Sequence, residues 1–376
     1  MQNIKHLHIV SFNIPYPANY GGVIDVFYKI KYLSAEGVKV HLHCYEYGRE
    51  QSPVLEEICE TVNYYPRKTT LYSHFSILPY IVKSRYSEVL IQNLIKDNYP
   101  ILFEGMHTFA VGLDKRLKQR RKIYRESNIE HEYYYHLYKS EKNIFKKIFF
   151  AVESFRLKKF EKQIVNFDRT LVVSKSDQKS LLSRYPQLIV EYLPSFHPDN
   201  IVSSIEGRGE YALYIGNLSV PENILAAEYL VNEVFFDLEY PLIVAGLNPP
   251  PHLEKLISKY ENISLKPNIS DNEMTELIEN AQLNVLITFQ ATGLKLKLLS
   301  TLFQGRFVLV NDEMTVGTGL ESVCELANTP NEIRKQVVFL KSKVFTKDEI
   351  LRRASLLDIN YSNKQNIQKL VELISY

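Results

Sequence analysis

Two lysines stand where a helix would least want them. In residues 289–311, FQATGLKLKLLSTLFQGRFVLVN, an apolar strand over 283–288 runs into a short turn, and Thr292 is placed to cap. The spacing predicts a helix that opens at Gly293 and ends at Gly305 before the next strand. Lys295 and Lys297 then fall in its first turn, where unpaired amides and the positive end of the helix dipole disfavour cations unless an anion also binds. A phosphate removes the conflict. The plain alternative is two solvated surface lysines, each costing roughly a few tenths of a kcal/mol.

Other residues with chemical potential follow predicted strands. Gly21-Gly22 come after the first strand and before a helix over 23–36, so their amides could approach a phosphate or sugar closely, although a glycine pair is also an ordinary turn. Glu104, Gly105 and His107 follow PILF at another strand end, where a structural or merely exposed histidine is the plain reading and a ligand-facing one the sharper. RESNIEHEYYYH gathers Arg125, Glu126, Asn128, Glu130 and His131 where a polar ligand could be recognised. Gly216-Asn217 in YIGNLSVPENILAAEYL make a plausible backbone cradle, joined by Gly246, Gly317, Thr318 and Gly319 at further turns. No GxGxxG and no Walker lysine is present, which argues against a conventional dinucleotide enzyme or NTPase.

These positions depend on an alternation of short β-rich runs with longer helical ones, the pattern of parallel sheets with crossover helices. The first series places strands at 6–12, 38–45, 100–104, 122–126 and 169–174, and the second at 211–216, 241–246, 263–266, 283–288, 307–311 and 323–327. The fold class expected is α/β with two Rossmann-like doubly wound domains: 1–194, a polar linker over 195–209, and 210–355. The final helix, 363–375, could reach back to the first domain. Ligands of such sheets bind outside the carboxyl ends of the strands, where every candidate above lies.

Of 376 residues, 45% are hydrophobic and 23% charged, and the net charge of +2 gives no general case for nucleic acid or membranes. Cys44, Cys59 and Cys324 are far apart and suggest neither a disulfide framework nor structural zinc, so a reducing compartment fits. The start, HLHIVSF, reads as a strand and not as a signal peptide, and no apolar run approaches the roughly 20 residues a bilayer span needs.

The order of motifs resembles a glycosyltransferase of the GT-B fold, similar to the family-4 enzymes of bacterial surface-polysaccharide pathways, over nearly the whole chain. PYPANYGGVIDVFYKIKYLSAEGVKVHL is similar to that family's amino-terminal glycine pair, and FEGMH to the strand end that presents its active-site histidine. NIEHEYY resembles a bacterial subgroup's NIEHxYY, and TGLKLKLLSTLFQGRFVLV its donor motif TGxKxKxLEAxxxGxPVV. The resemblance implies a nucleotide-sugar donor, of UDP or GDP type, bound mainly by the second domain, an acceptor held by the first, and chemistry in the cleft between. Gly293, Leu294, Lys295, Lys297 and Ser300 would meet the donor, with Gly21, Gly22, Gly216, Asn217, Thr318 and Gly319 around it. His107 would be catalytic, and Glu126, Asn128 and Glu130 are acceptor-side candidates. The chain departs from the pattern at Ser300, where members carry a ribose-binding carboxylate, at Thr292, where many carry an acid, and at Ser127, where the subgroup tends to have histidine.

The implied reaction is transfer with retention, acceptor attack coming from the donor's leaving-group face. With two lysines, helix amides and no Asp-x-Asp cluster, no metal or other cofactor is expected. The alternatives are a GT-B protein that has lost catalysis and binds an active transferase, which Ser300 and Thr292 motivate, and an epimerase of nucleotide sugars. The acceptor would be a glycan or lipid-linked, and the expected location is cytoplasmic or peripheral at the inner membrane face. Two basic segments, 115–125 and 139–162, mix lysine and arginine with Phe, Ile and Leu. The second could lie on anionic lipid or pack its apolar face on the sheet; nucleic-acid binding lacks a reading motif.

Overall fold

The computed structural model describes residues 5–70, 76–141, 143–289 and 295–375. They divide into two compact units, Met1–Pro198 with Tyr361–Tyr376, and Asp199–Ala291 with Lys295–Asn360.

The first unit is built on seven parallel strands: β1 (His6–Ser11), β2 (Lys39–Glu46), β3 (Thr61–Pro66), β4 (Ile101–Glu104), β5 (Lys122–Glu126), β6 (Arg169–Val172) and β7 (Val190–Tyr192), in the order β3-β2-β1-β4-β5-β6-β7. Alternate residues serve opposite faces, as the strand period requires. Leu7, Ile9, Leu102 and Ile123 pack against Val26, Ile30 and Leu33 of helix α1 (Gly21–Ala35), together with Ile367, Leu370 and Ile374 of the last helix. Val10, Phe103 and Tyr124 turn to the other face, onto Phe109 and Phe167. The strand order reverses between β1 and β4.

The second unit has six parallel strands: β8 (Ala212–Ile215), β9 (Leu242–Gly246), β10 (Ile263–Pro267), β11 (Leu283–Leu286), β12 (Phe307–Val310) and β13 (Glu325–Leu326), in the order β10-β9-β8-β11-β12-β13. Its reversal lies between β8 and β11. The sequence pattern lacks β3 and β7, a strand ending in proline and a three-residue one beside the first sheet's rims, where little apolar alternation is needed.

Five further helices matter to the site: α2 (Glu130–Ser140), α3 (Ile144–Phe160), α4 (Pro221–Tyr229), α5 (Leu296–Gln304) and α6 (Asn363–Ser375). The expected start of α5 at Gly293 is corrected. Lys295 is its N-cap, in extended conformation (φ −83°, ψ 99°), so Leu296 opens the helix and Lys297 alone of the two lysines lies within it. Starting there still buries its apolar face, Leu298, Leu299, Leu302 and Phe303. Thr292, Gly293 and Leu294 lie outside the described residues.

The 195–209 segment is tied down at several points. Phe196 N donates to Asp25 Oδ1 (2.7 Å), and Ser204 Oγ to the Gly305 carbonyl (2.7 Å). Helix α6 belongs to the first unit: Asn363 Nδ2 donates to the His197 carbonyl (2.9 Å), and Lys369 Nζ to that of Tyr192 (2.7 Å).

Beneath α1 lies a buried charge network. Lys29 Nζ reaches Glu104 Oε1 (2.7 Å) and Asp25 Oδ2 (3.2 Å), and Arg125 Nε reaches the same Asp25 oxygen (3.1 Å). Burial alone would push Asp25 up, but Arg125 and Lys29 more than reverse this and hold it below the usual carboxylate range. Glu104 goes the other way, raised by burial and by the Asp25 charge against the pull of Lys29.

Candidate functional site

At the second unit's reversal point, β8 ends in Tyr214 and Ile215 and passes through Gly216-Asn217 into α4, whose Pro221 sits in the first turn where no N–H is required. Gly246, at the end of β9, is packed so close that a Cβ would stand 1.8 Å from the Gly216 carbonyl oxygen. Asn217 holds the turn, its Oδ1 accepting from Ser219 N (3.0 Å) and Oγ (2.7 Å), while its carbonyl accepts from Asn223 Nδ2 (3.0 Å). Glu222 and Asn223 are thereby fixed in the first turn of α4.

The two lysines meet this turn. Lys295 Nζ lies 3.8 Å from Glu222 Oε1, which also accepts from the Thr288 hydroxyl two residues beyond β11. Lys297 Nζ donates to Asn223 Oδ1 (3.1 Å) and stands 5.1 Å from the centre of the Tyr214 ring. Lys297 keeps some surface as a residue, but its ammonium is enclosed. Burial pushes it down to about 8, with Glu222 pulling it up and Lys295 pushing it further down. Among the described residues, two ammonium groups thus stand by the Glu222 carboxylate at a sheet edge, a concentration of positive charge that suits an anion. Asn311 braces the edge, accepting from Thr288 N (3.1 Å) and donating to Thr288 O (2.6 Å) and Glu313 Oε2 (2.8 Å).

Other expected residues take varied roles. Ser300 is part-exposed on α5, without the carboxylate that could chelate a diol. The Thr318 hydroxyl is engaged in its own turn, donating to the Thr315 carbonyl (2.7 Å) and accepting from Leu320 N (3.1 Å), between Gly317 (φ 74°) and Gly319 (φ 70°).

In the first unit, Gly21 and Gly22 open α1 behind an extended Tyr20 N-cap. A Cβ on Gly22 would meet Phe12 Cζ at 2.7 Å, whereas one on Gly21 meets nothing within 4 Å, so Gly21 is the open approach. After β4, Gly105 takes φ 72° and lies against His107, where a Cβ would stand 2.9 Å from Nδ1. His107 retains 19% of its side-chain surface, its ring 5.3 Å from that of Phe12. Burial drives its pKa well below the usual histidine value, and the Arg85 and Arg67 charges add to the effect, so the ring is neutral near pH 7. Among the described residues its Nδ1 has no hydrogen-bond partner, and it faces Glu130 Oε1 at 3.8 Å. Burial raises the Glu130 carboxyl to about 7, against the pull of Arg85. A neutral base and a poised acid therefore sit side by side.

Glu126 does not join them. It ends β5 fully buried, accepting from the Tyr124 hydroxyl (3.1 Å), and is raised well above the carboxylate range by burial and then by the Glu161 and Asp177 charges. Nearby, Glu161 pairs with His131 (2.9 Å) and with Arg184. Asn128 is part-exposed between β5 and α2. Glu222, Asn223 and Arg85 were not anticipated; the one local signal was a proline opening a helix just after a strand end, which marks Glu222 and Asn223 as first-turn residues. Among the described residues, no three histidine, cysteine or carboxylate side chains are grouped so as to hold a metal ion.

Three comparisons bear on this geometry. No protein-family model matches the chain. The uncharacterized 44.6 kDa protein in the cps region of Klebsiella pneumoniae is 28% identical over 386 residues, covering 95% of this chain and 96% of that one. Among solved structures, a mutant of S. aureus TarM in complex with fondaparinux, alpha-GlcNAc-glycerol and UDP has a TM-score of 0.68 at 11% identity, covering 99% of this chain and 100% of that one. Anabaena HepE in complex with UDP and glucose gives 0.68 at 9%, with 99% of each chain covered. WaaG, a glycosyltransferase involved in lipopolysaccharide biosynthesis, gives 0.66 at 13%, covering 98% and 99%. The chain has the GT-B fold, with two Rossmann-like doubly wound domains.

Proposed function

We propose that this chain is a glycosyltransferase that moves a sugar from a nucleotide-sugar donor to a glycan or lipid-linked acceptor in surface-polysaccharide synthesis. The observation that carries the reading is the Lys295 and Lys297 pair set against Glu222 and Asn223 at the reversal point of a GT-B second domain. The barrier to such a transfer is departure of a nucleoside diphosphate from the anomeric carbon. Negative charge grows on the leaving phosphate as that bond breaks, and fixed ammonium groups stabilise it there more than in the ground state. The acceptor oxygen forms the new bond to the anomeric carbon and gives up its proton. His107, neutral and backed by Glu130, is suited to orient a sugar hydroxyl or accept a proton. The resemblance supports retention. Because the lysines supply the charge at the leaving group, our reading is metal-independent, with no cofactor beyond the donor itself. The cps-region relative supports a polysaccharide pathway, and a cytoplasmic location belongs to the same reading.

Calorimetric titration of UDP, GDP and their sugar conjugates in EDTA tests this, with wild type beside Lys295→Ala/Lys297→Ala. The UDP seen with TarM and HepE makes UDP the first ligand to try. The expected result is metal-independent binding of one nucleotide, lost in the double variant. No nucleotide binding by folded wild-type protein overturns the reading and favours the non-catalytic partner that Ser300 and Thr292 motivate.

A further inference from the structure

Helix α3 carries an apolar stripe outward as well as the apolar residues it packs inward. The side chains it buries are Glu153 and Leu157, while Ile144 (60% exposed), Phe145 (80%), Ile148 (57%), Val152 (43%) and Phe155 (59%) are open to solvent. At 100° per residue these five fall within about a quarter to a third of the helix circumference, a continuous stripe. The helix also packs on the sheet as expected, through Leu157 and Phe160 against the core of Phe103, Phe109 and Tyr124, so the outward stripe is a second apolar face.

The charges around the stripe are of one sign. Residues 144–162 contain six lysines and arginines and two acids, and both acids, Glu153 and Glu161, are turned inward. Lys146, Lys158, Lys159 and Lys162 are exposed, and Lys159 lies over the Phe155 ring with Nζ 4.5 Å from its centre. An ammonium held over an aromatic ring of the stripe sets positive charge directly beside apolar surface, which suits an interface that is apolar within and anionic at the surface. The helix is firmly mounted: Asn143 caps it by accepting from Phe145 N (3.0 Å) and Lys146 N (3.2 Å), and Ser154 Oγ donates to the His131 carbonyl of α2 (2.8 Å).

We propose that α3 docks this chain on an anionic lipid bilayer, Ile144, Phe145, Ile148, Val152 and Phe155 entering the headgroup boundary and the lysines pairing with lipid phosphates. A nucleic acid would use the lysines but leaves no role for an aliphatic stripe, and among the described residues no helix is long and apolar enough to cross the membrane. The proposal goes beyond the transferase reading and is tested without any donor, so the two can fail separately.

The experiment is co-sedimentation of the full chain with phosphatidylglycerol–phosphatidylcholine vesicles and with phosphatidylcholine alone. Wild type should partition onto the anionic vesicles, weakly onto the neutral ones, and come off in high salt. Lys158→Glu/Lys159→Glu should weaken anionic partition about 25-fold or more, since each basic residue near such a surface is worth roughly five-fold. Phe145→Ser/Phe155→Ser, both at exposed positions and expected to fold, should lose partition while keeping the charges. Equal binding to both vesicle types, or unchanged binding of the serine variant, overturns the proposal. So does an absence of wild-type binding, whether or not the stripe instead drives self-association that the serine variant abolishes in sedimentation velocity.

Discussion

Replacing Lys29 by methionine should cost the first unit about 3 kcal/mol. The side chains of Lys29, Asp25 and Glu104 are 0%, 3% and 3% exposed, so the loss is not screened by water. Methionine approximates the stem and deletes the ammonium. Asp25 is then still matched, because Arg125 Nε (3.1 Å), Arg125 Nη2 (3.3 Å) and the Phe196 amide (2.7 Å) remain. Glu104 is the casualty. Burial already pushes its carboxyl up, and Lys29 is the first of the forces that oppose this. Without the lysine it takes up a proton, which keeps the cost near the lower end of the roughly 3–5 kcal/mol seen when a buried pair loses one member. The folded variant then binds a proton the unfolded chain has released, so the deficit is smallest near pH 5 and grows towards pH 8. Urea denaturation at both pH values reads it, and about 3 kcal/mol corresponds to roughly 6–12 °C in Tm for a unit of this size. Lys29→Met/Glu104→Leu should recover most of the loss, because apolar replacement of a whole buried pair is near neutral. A single variant within about 1 kcal/mol of wild type, or a deficit indifferent to pH, would refute the reasoning.

Three more expectations can be checked directly. Gly22→Ala should lose about 1–3 kcal/mol in denaturation by forcing Phe12 aside, whereas Gly21→Ala should be neutral or slightly stabilising, so that any loss of nucleotide binding by Gly21→Ala reports ligand approach. Nucleotide affinity should fall as pH rises through about 8, where Lys297 loses its charge, and calorimetry of Lys297→Arg should show that limb displaced upward. His8 is pushed down to about 4, by burial first and against the pull of Asp97, so its stabilising contribution is complete above the unfolded value of 6.5 and drains away as pH falls towards 4. The acid limb of the thermal stability profile should flatten in His8→Gln by up to about 3 kcal/mol, and an unchanged limb counts against it.

The strands were legible because buried parallel strands are short apolar runs between turn residues, and β5 falls at the expected 122–126. The starting residue of α5 was not, because Thr292 and Gly293 imitate a cap, while the backbone of Lys295 sets the true boundary. Local spacing also put Glu126 and Glu130 in one polar group. Between them β5 ends and α2 begins, which sends the first into the interior beside Tyr124 and the second to His107. The lysines stood out by type and position, but Glu222 and Asn223, more than seventy residues away, could not be matched to them by periodicity. The outward stripe of α3 was hidden for a related reason: a period shows that a helix has two faces, and only packing shows which is inside.

Helix α6 gives the first unit a peculiar timetable. Its Ile367, Leu370 and Ile374 fill the same core as Leu7 and Ile9, yet they are synthesised about 160 residues after that unit's main segment ends at Pro198. At ribosomal speeds the first sheet therefore waits on the order of 10–30 s with one side of its core uncovered, while the whole of the second unit emerges. The second unit, contiguous in its main segments, can fold first. A chain whose amino-terminal half is made first and finished last is exposed to chaperones and proteases for that interval, and cleavage before α6 would leave the earlier half incomplete.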